Sequence, residues 1–169
     1  MTALIRKAKK EDALAISKVR ADSWQITYRG IFPDTFLDGI DYIAQTKAIE
    51  KWITDPFSNC VVAEDPNSDQ IIGFAIGGEC RDHRTVSDGE VWALYLEHTY
   101  HGQGIGKALL LEAQQLLKQA GYKKALVSVL DANESSVQFY QKMAGRPGPR
   151  DFFELQNVHY PSATYIWDL

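Results

Sequence analysis

Residues 90–117 read EVWALYLEHTYHGQGIGKALLLEAQQLL, and the order of features along them decides the fold. An extended apolar run at 90–96 leads into a turn carrying Gly102, Gly104 and Gly106. The turn opens a segment whose apolar residues recur at helical spacing. A helix N-terminus leaves backbone N–H groups without intrahelical partners and carries partial positive charge, so strand, glycine turn and helix in this order make a phosphate cradle. Without a Cβ, the glycines let a phosphate approach those groups closely.

Spacing excludes two common cradles. A P-loop, G-x-x-x-x-G-K-[ST], would need glycine where His101 stands and a hydroxyl where Ala108 stands. The dinucleotide fingerprint G-x-G-x-x-G would need a third glycine at Lys107 or at Leu109. What remains, YHGQGIGKALL after EVWALYL, resembles the acetyl-CoA motif of the GNAT superfamily of N-acetyltransferases, [QR]-x-x-G-x-[GA]. It runs here through His101, Gly102, Gln103, Gly104, Ile105 and Gly106, with histidine where the family has arginine or glutamine. A second block, NESSVQFY from Asn133 to Tyr140, follows an apolar strand at 125–130 and resembles the family's N-x-x-[AS]-x-x-F-Y.

Outward from these blocks, periodicity predicts a strand at 3–7, helices at 10–24 and 42–53, and a short helical piece starting at Pro33-Asp34. Strands at 60–64 and 70–79 flank the turn-forming DPNSD and so form a hairpin. A strand at 90–96, a helix at 104–120, a strand at 125–130 and a helix at 133–143 come next. GRPGP at 145–149 reads as a turn before strands at 151–155 and 163–168. The order indicates one α/β domain of mixed α+β type over residues 1–169, with a central mixed sheet and helices on both faces. The resemblance adds that the sheet is mostly antiparallel and splayed.

The composition is that of an ordinary soluble globular chain, 45% hydrophobic and 24% charged over 169 residues. No apolar stretch approaches the roughly 20 residues that cross a bilayer, and the start lacks a signal-like core, so no membrane association and a cytoplasmic location are expected. A net charge of −4 leaves no footprint for nucleic acid. Cys60 and Cys80 lack metal or redox spacing and read as buried small hydrophobes, with no metal expected.

The resemblance implies acetyl-CoA as co-substrate and a small amine or peptide as acceptor. A homodimer is left open. It places the pantetheine between the fourth and fifth strands, bonded to backbone at Leu94, Tyr95 and Leu96, and the pyrophosphate on the turn from His101 through Gly106. Lys107 faces either phosphate or solvent. Asn133 caps its helix, touches the cofactor through water, or does both, and Ser136 matches the small position beside the pantetheine. Tyr140 occupies the family's tyrosine position, which serves the leaving sulfur. A tyrosine near pKa 10 and a thiol near 8.5 make full proton transfer uphill by about 2 kcal/mol, so hydrogen bonding contributes as much as transfer.

Glu90 lies eleven residues before His101, the separation at which some family members place a glutamate base; the alternative is a solvated carboxylate at a strand start. Arg81, His83 and Arg84 form a basic loop, over the site or in solvent. Trp24 and Tyr28, at helical spacing, belong to the core or line the acceptor pocket. The alternative function is a catalytically silent acyl-CoA-binding sensor with the same cradle.

Overall fold

The computed structural model describes residues 2–169. β1 (Leu4–Lys7) leads through a single 3-10 turn at Lys10–Asp12 into α1 (Ala13–Thr27), followed by α2 (Asp34–Asp38) and α3 (Tyr42–Thr54). β2 (Asn59–Glu64), β3 (Ile71–Glu79) and β4 (Gly89–Leu96) form an antiparallel meander. Then come α4 (Ile105–Gln119), β5 (Lys124–Leu130), α5 (Glu134–Lys142), β6 (Arg146–Pro147), β7 (Asp151–Leu155) and β8 (Val158–Asp168). Together the strands make one eight-stranded sheet in the order β1-β2-β3-β4-β5-β8-β6, with β7 also on β8. Only β4 and β5 pair in parallel; the other ladders are antiparallel.

α4 covers one face because Ile105, Leu109, Leu110, Ala113, Leu116 and Leu117 form a buried stripe against β2 to β5. Burying each such side chain contributes on the order of 1.5–3 kcal/mol. α1 and α3 cover the opposite face, where Ala13, Ile16, Val19 and Ile49 pack on Val62, Phe74 and Ile76. The Asp41 carboxylate caps α3 by accepting from the amides of Ile43 and Ala44, both at 3.0 Å. Arg6 ties β1 to its neighbours, bonding Asp12 at 2.8 Å and Glu64 at 2.7 Å.

The C-terminal third differs from the expected pattern in two places. β8 begins at Val158 rather than at 163, because its first half pairs only with β7 across a two-residue turn at Gln156 and Asn157, both with positive φ. Pro161 is tolerated there: its carbonyl accepts from Asp131 on the β5 side, so the missing N–H points away from β7 and no ladder bond is lost. Within the expected turn, Arg146 and Pro147 form the short β6 along the other half of β8. α1 also runs to Thr27, one turn beyond 24, which carries the aromatic side chains of its C-terminal end over the sheet. No helix among the described residues is long and apolar enough to cross a membrane.

Candidate active site

β4 and β5 pair only at Gly89 with Ala125 and at Glu90 with Leu126; beyond that point they share no ladder. A β-bulge in β4 accompanies the divergence: Ile76 faces Ala93 and Gly77 faces Val91, leaving Trp92 unopposed. The bulge depends on Gly77 and Gly78, where a Cβ would lie 2.4 Å from the Glu90 carbonyl oxygen and 2.6 Å from the Trp92 ring. Between the diverging strands opens a cleft of about 780 Å³, walled by Leu94, Tyr95 and Leu96 on one side and by residues 127–130 on the other.

One end of the cleft reaches the N-terminus of α4. Gly102 and Gly104 sit at φ 75° and 82°, and a Cβ on either would project into open space. This left-handed turn costs a glycine little and any other residue roughly 1–2 kcal/mol. Gly102, Gly104, Gly106, His101 and Lys107 line the cleft. The other two residues of the motif do not: the Gln103 amide donates to the Thr99 carbonyl at 3.3 Å, and the Ile105 side chain is buried in the core. What these two offer a ligand is backbone N–H alone. The His101 Nε2–H donates to the Leu96 carbonyl at 2.9 Å, pinning the end of β4 to the glycine turn.

The second block lies across the cleft. The Asn133 carboxamide oxygen accepts from the Ser136 amide at 3.2 Å and so caps α5. Asn133, Ser136 and Tyr140 all line the cavity. Tyr140 is 5% exposed, its ring stacked 6.2 Å from Tyr165 and edge-on to Trp167 at 6.0 Å. Burial, reinforced by the nearby Tyr95 phenol, raises its pKa above the ordinary tyrosine range. It is therefore a neutral hydrogen-bond donor across physiological pH.

Glu90 sits where β4 and β5 part, and it is neither solvated nor free. It is 4% exposed, and its carboxylate accepts from the Arg81 backbone N–H at 2.9 Å and from Arg81 Nη2 at 2.6 Å. The Arg81 guanidinium in turn lies 5.6 Å over the Trp92 ring. The rest of the basic loop divides: the His83 Nε2–H donates to the Asp151 carboxylate of β7 at 2.7 Å, and Arg84 reaches the Cys80 carbonyl at 2.9 Å. His83 thereby straps the loop to the β7–β8 hairpin.

Several cleft residues carry no local sequence signal. The Tyr95 side chain turns to the α1 face beside Phe74, so its phenol as well as its backbone bounds the cavity. Arg20, Trp52 and Trp92 line the same wall. Trp24 and Tyr28 are both core and lining: their rings meet at 5.1 Å and extend through Phe32 to Phe153 of β7. Neither thiol reaches the cleft. Cys60 is buried on the α1 side, and burial pushes its pKa up to about 12. No cluster of metal-ligating side chains occurs among the described residues.

Comparison with known proteins agrees with this geometry. Residues 16–145 match the acetyltransferase (GNAT) family. The chain is 33% identical over 163 residues to an uncharacterized N-acetyltransferase, YuaI, of Bacillus subtilis (strain 168), a match spanning 96% of this chain and 91% of that protein. It is 29% identical over 152 residues to the spermidine N(1)-acetyltransferase of Thermoplasma acidophilum, spanning 84% of this chain and 87% of the relative. The crystal structure of PaiA N-acetyltransferase from Thermoplasma acidophilum in complex with coenzyme A shares the fold, with a TM-score of 0.73 at 22% identity over the whole of both chains. The chain thus belongs to the acetyltransferase (GNAT) family, and the protein is an acyltransferase.

Proposed function

We propose that the protein transfers the acetyl group of acetyl-CoA to a primary amine, on a small molecule or a peptide, by direct attack within a ternary complex. The observation that carries this reading is the parting of β4 from β5 beside the α4 glycine turn, with Tyr140 in the wall between. A pyrophosphate has the helix N-terminus and the amides around Gly102, Gly104 and Gly106 as donors. The pantetheine has the backbone of Leu94, Tyr95 and Leu96, with Asn133 and Ser136 opposite. The spermidine N(1)-acetyltransferase relative supports an amine as acceptor.

In this reaction the neutral amine attacks the thioester carbonyl, the C–N bond forms, and the C–S bond breaks. Tyr140 donates a hydrogen bond to the departing sulfur. The surplus proton on nitrogen leaves through water toward Glu90, whose charge Arg81 fixes in place. A covalent route through cysteine is disfavoured, because both cysteines are buried and neither lines the cleft.

Thiol release from acetyl-CoA against a panel of polyamines, amino acids and peptides, with mass spectrometry of the products, tests the proposal. Stoichiometric thiol and N-acetylated product are expected for at least one amine. Tight coenzyme A binding without release above hydrolysis for any amine would make the chain an acyl-CoA sensor instead.

A further inference from the structure

Six of the seven arginines in the chain are ion-paired to carboxylates: Arg6, Arg29, Arg81, Arg84, Arg146 and Arg150. Arg20, on α1, is the exception, with no carboxylate within 4.0 Å among the described residues. It is nonetheless held in one place. Its guanidinium lies 4.7 Å over the Trp24 ring, and Nη1 donates to Gln45 Oε1 of α3 at 2.9 Å. Its other N–H donors have no acceptor among the described residues, and the side chain lines the cleft. A planar, preoriented guanidinium with free donors matches a carboxylate, which it binds through two parallel hydrogen bonds.

The position suits an acceptor rather than the phosphate end of the cofactor. Arg20 stands on the α1 face, with Trp24, Trp52, Trp92 and the Tyr95 phenol, whereas the glycine turn belongs to α4 on the other face. Arg20, Tyr95, Tyr140 and Glu90 all line this one cleft, so a single small molecule within it can touch Arg20 and extend toward Tyr140. Of the other charged side chains lining the cleft, Glu90 is paired with Arg81 and Asp151 accepts from His83, while Asp82 sits on the loop beyond Arg81. A phosphate dianion would call for a second free cation here, and Arg81 is already spent on Glu90.

We propose that Arg20 binds a carboxylate on the acceptor, so that the preferred acceptor carries an amine and a carboxylate in one molecule rather than being a polyamine. This rests on the acetyl-transfer reading above. The carboxylate anchors on Arg20 while the amine extends past Tyr95 toward Tyr140 and Glu90.

The test compares acids with their amides, which differ only at the carboxylate: alanine and alaninamide, lysine and lysinamide, and the dipeptide Ala-Ala with a free or an amidated C-terminus. The dipeptide pair separates a peptide terminus from a free amino acid as the source. Initial rates with acetyl-CoA, and calorimetric binding with coenzyme A present, are measured for the natural protein, Arg20→Gln and Arg20→Lys. At least one acid is expected to exceed its amide by about tenfold or more in kcat/KM and in affinity. Arg20→Gln should lower the acid far more than the amide and so erase that ratio, and Arg20→Lys should restore part of it, with melting temperatures showing that both variants fold.

An acid-to-amide ratio unaltered in Arg20→Gln, preference for the amides, or no binding of any acid overturns the Arg20 assignment and leaves acetyl transfer standing if polyamines turn over. Binding that discriminates acid from amide through Arg20, with no turnover of any amine, upholds the subsite and contradicts the acetyltransferase reading instead.

Discussion

Tyr140 is suited to stabilise a thiolate and poorly suited to give up its proton outright. Its unperturbed pKa already exceeds that of a thiol, and burial widens the gap. Hydrogen bonding to charge that develops during reaction affects kcat more than ground-state binding. Tyr140→Phe should therefore lower kcat by about 10²–10⁴-fold with little change in coenzyme A affinity, and the loss should persist across pH. Wild-type kcat in this variant, measured between about pH 6 and 10, would remove Tyr140 from the chemistry.

In the proposed reaction Glu90 receives the amine proton through water. Glu90→Gln preserves an acceptor for the Arg81 amide but removes the charge, and its loss should lie near the lower end of the same range. Activity should recover at high pH, where more amine is already neutral. An unaltered pH profile would reduce the Arg81–Glu90 pair to a structural tie. That pair links residues nine apart across the β3–β4 loop, so neither its burial nor its partner was legible in the sequence. The glycine turn was legible from its spacing ahead of a periodic helix, and Asn133 and Tyr140 as cleft residues from the resemblance of their block to the family motif.

At the scale of elements, the cleft depends on two backbone devices, the left-handed turn before α4 and the bulge in β4. Gly104→Ala places a methyl at φ 82° in open cleft space, costing about 1 kcal/mol of stability and weakening coenzyme A binding at least tenfold. Gly77→Ala instead drives a Cβ onto the Glu90 carbonyl, so it should cost roughly 1–3 kcal/mol and disturb the bulge itself. Urea titrations and calorimetry of the two variants separate these outcomes; equal affinity for coenzyme A in a folded Gly104→Ala protein would contradict the cradle. The turn was readable from G-x-G-x-G ahead of a periodic helix. The bulge was not, because it is a property of the register between two strands. The first half of β8 was hidden by Pro161 and its polar neighbours, whose fit depends on an open side known only from the assembled sheet.

At the scale of the whole molecule, the cleft brings together two buried phenols, Tyr28 and Tyr140, and the half-buried phenol of Tyr95. Burial raises the pKa of Tyr28, Tyr95 and Tyr140, with the charge of Arg20 opposing it at Tyr95. An unfolded tyrosine titrates near about 10, so above that pH the unfolded chain releases protons that the folded chain keeps. Stability from these groups is complete below that pH and is lost as pH rises through it. The urea midpoint should be flat from about pH 7 to 9 and fall between about pH 10 and 12, less steeply in Tyr140→Phe. Identical alkaline slopes in the two proteins would show that the Tyr140 phenol is not shielded from water.

The order of elements and the helices on both faces followed from periodicity, and the mostly antiparallel sheet from the family resemblance that two motifs carry. The wall around Arg20, Tyr95 and Trp92 did not, since α1, β4 and the β3–β4 loop meet there only in the folded chain. Whether that assembled cleft is where acyl transfer is staged is tested most directly by a crystal structure of the protein with coenzyme A. The pyrophosphate is predicted within hydrogen-bond reach of the amides from Gly102 to Lys107, the pantetheine along Leu94, Tyr95 and Leu96, and the thiol beside the Tyr140 hydroxyl. Coenzyme A bound elsewhere, or with its thiol directed away from Tyr140, would contradict the account.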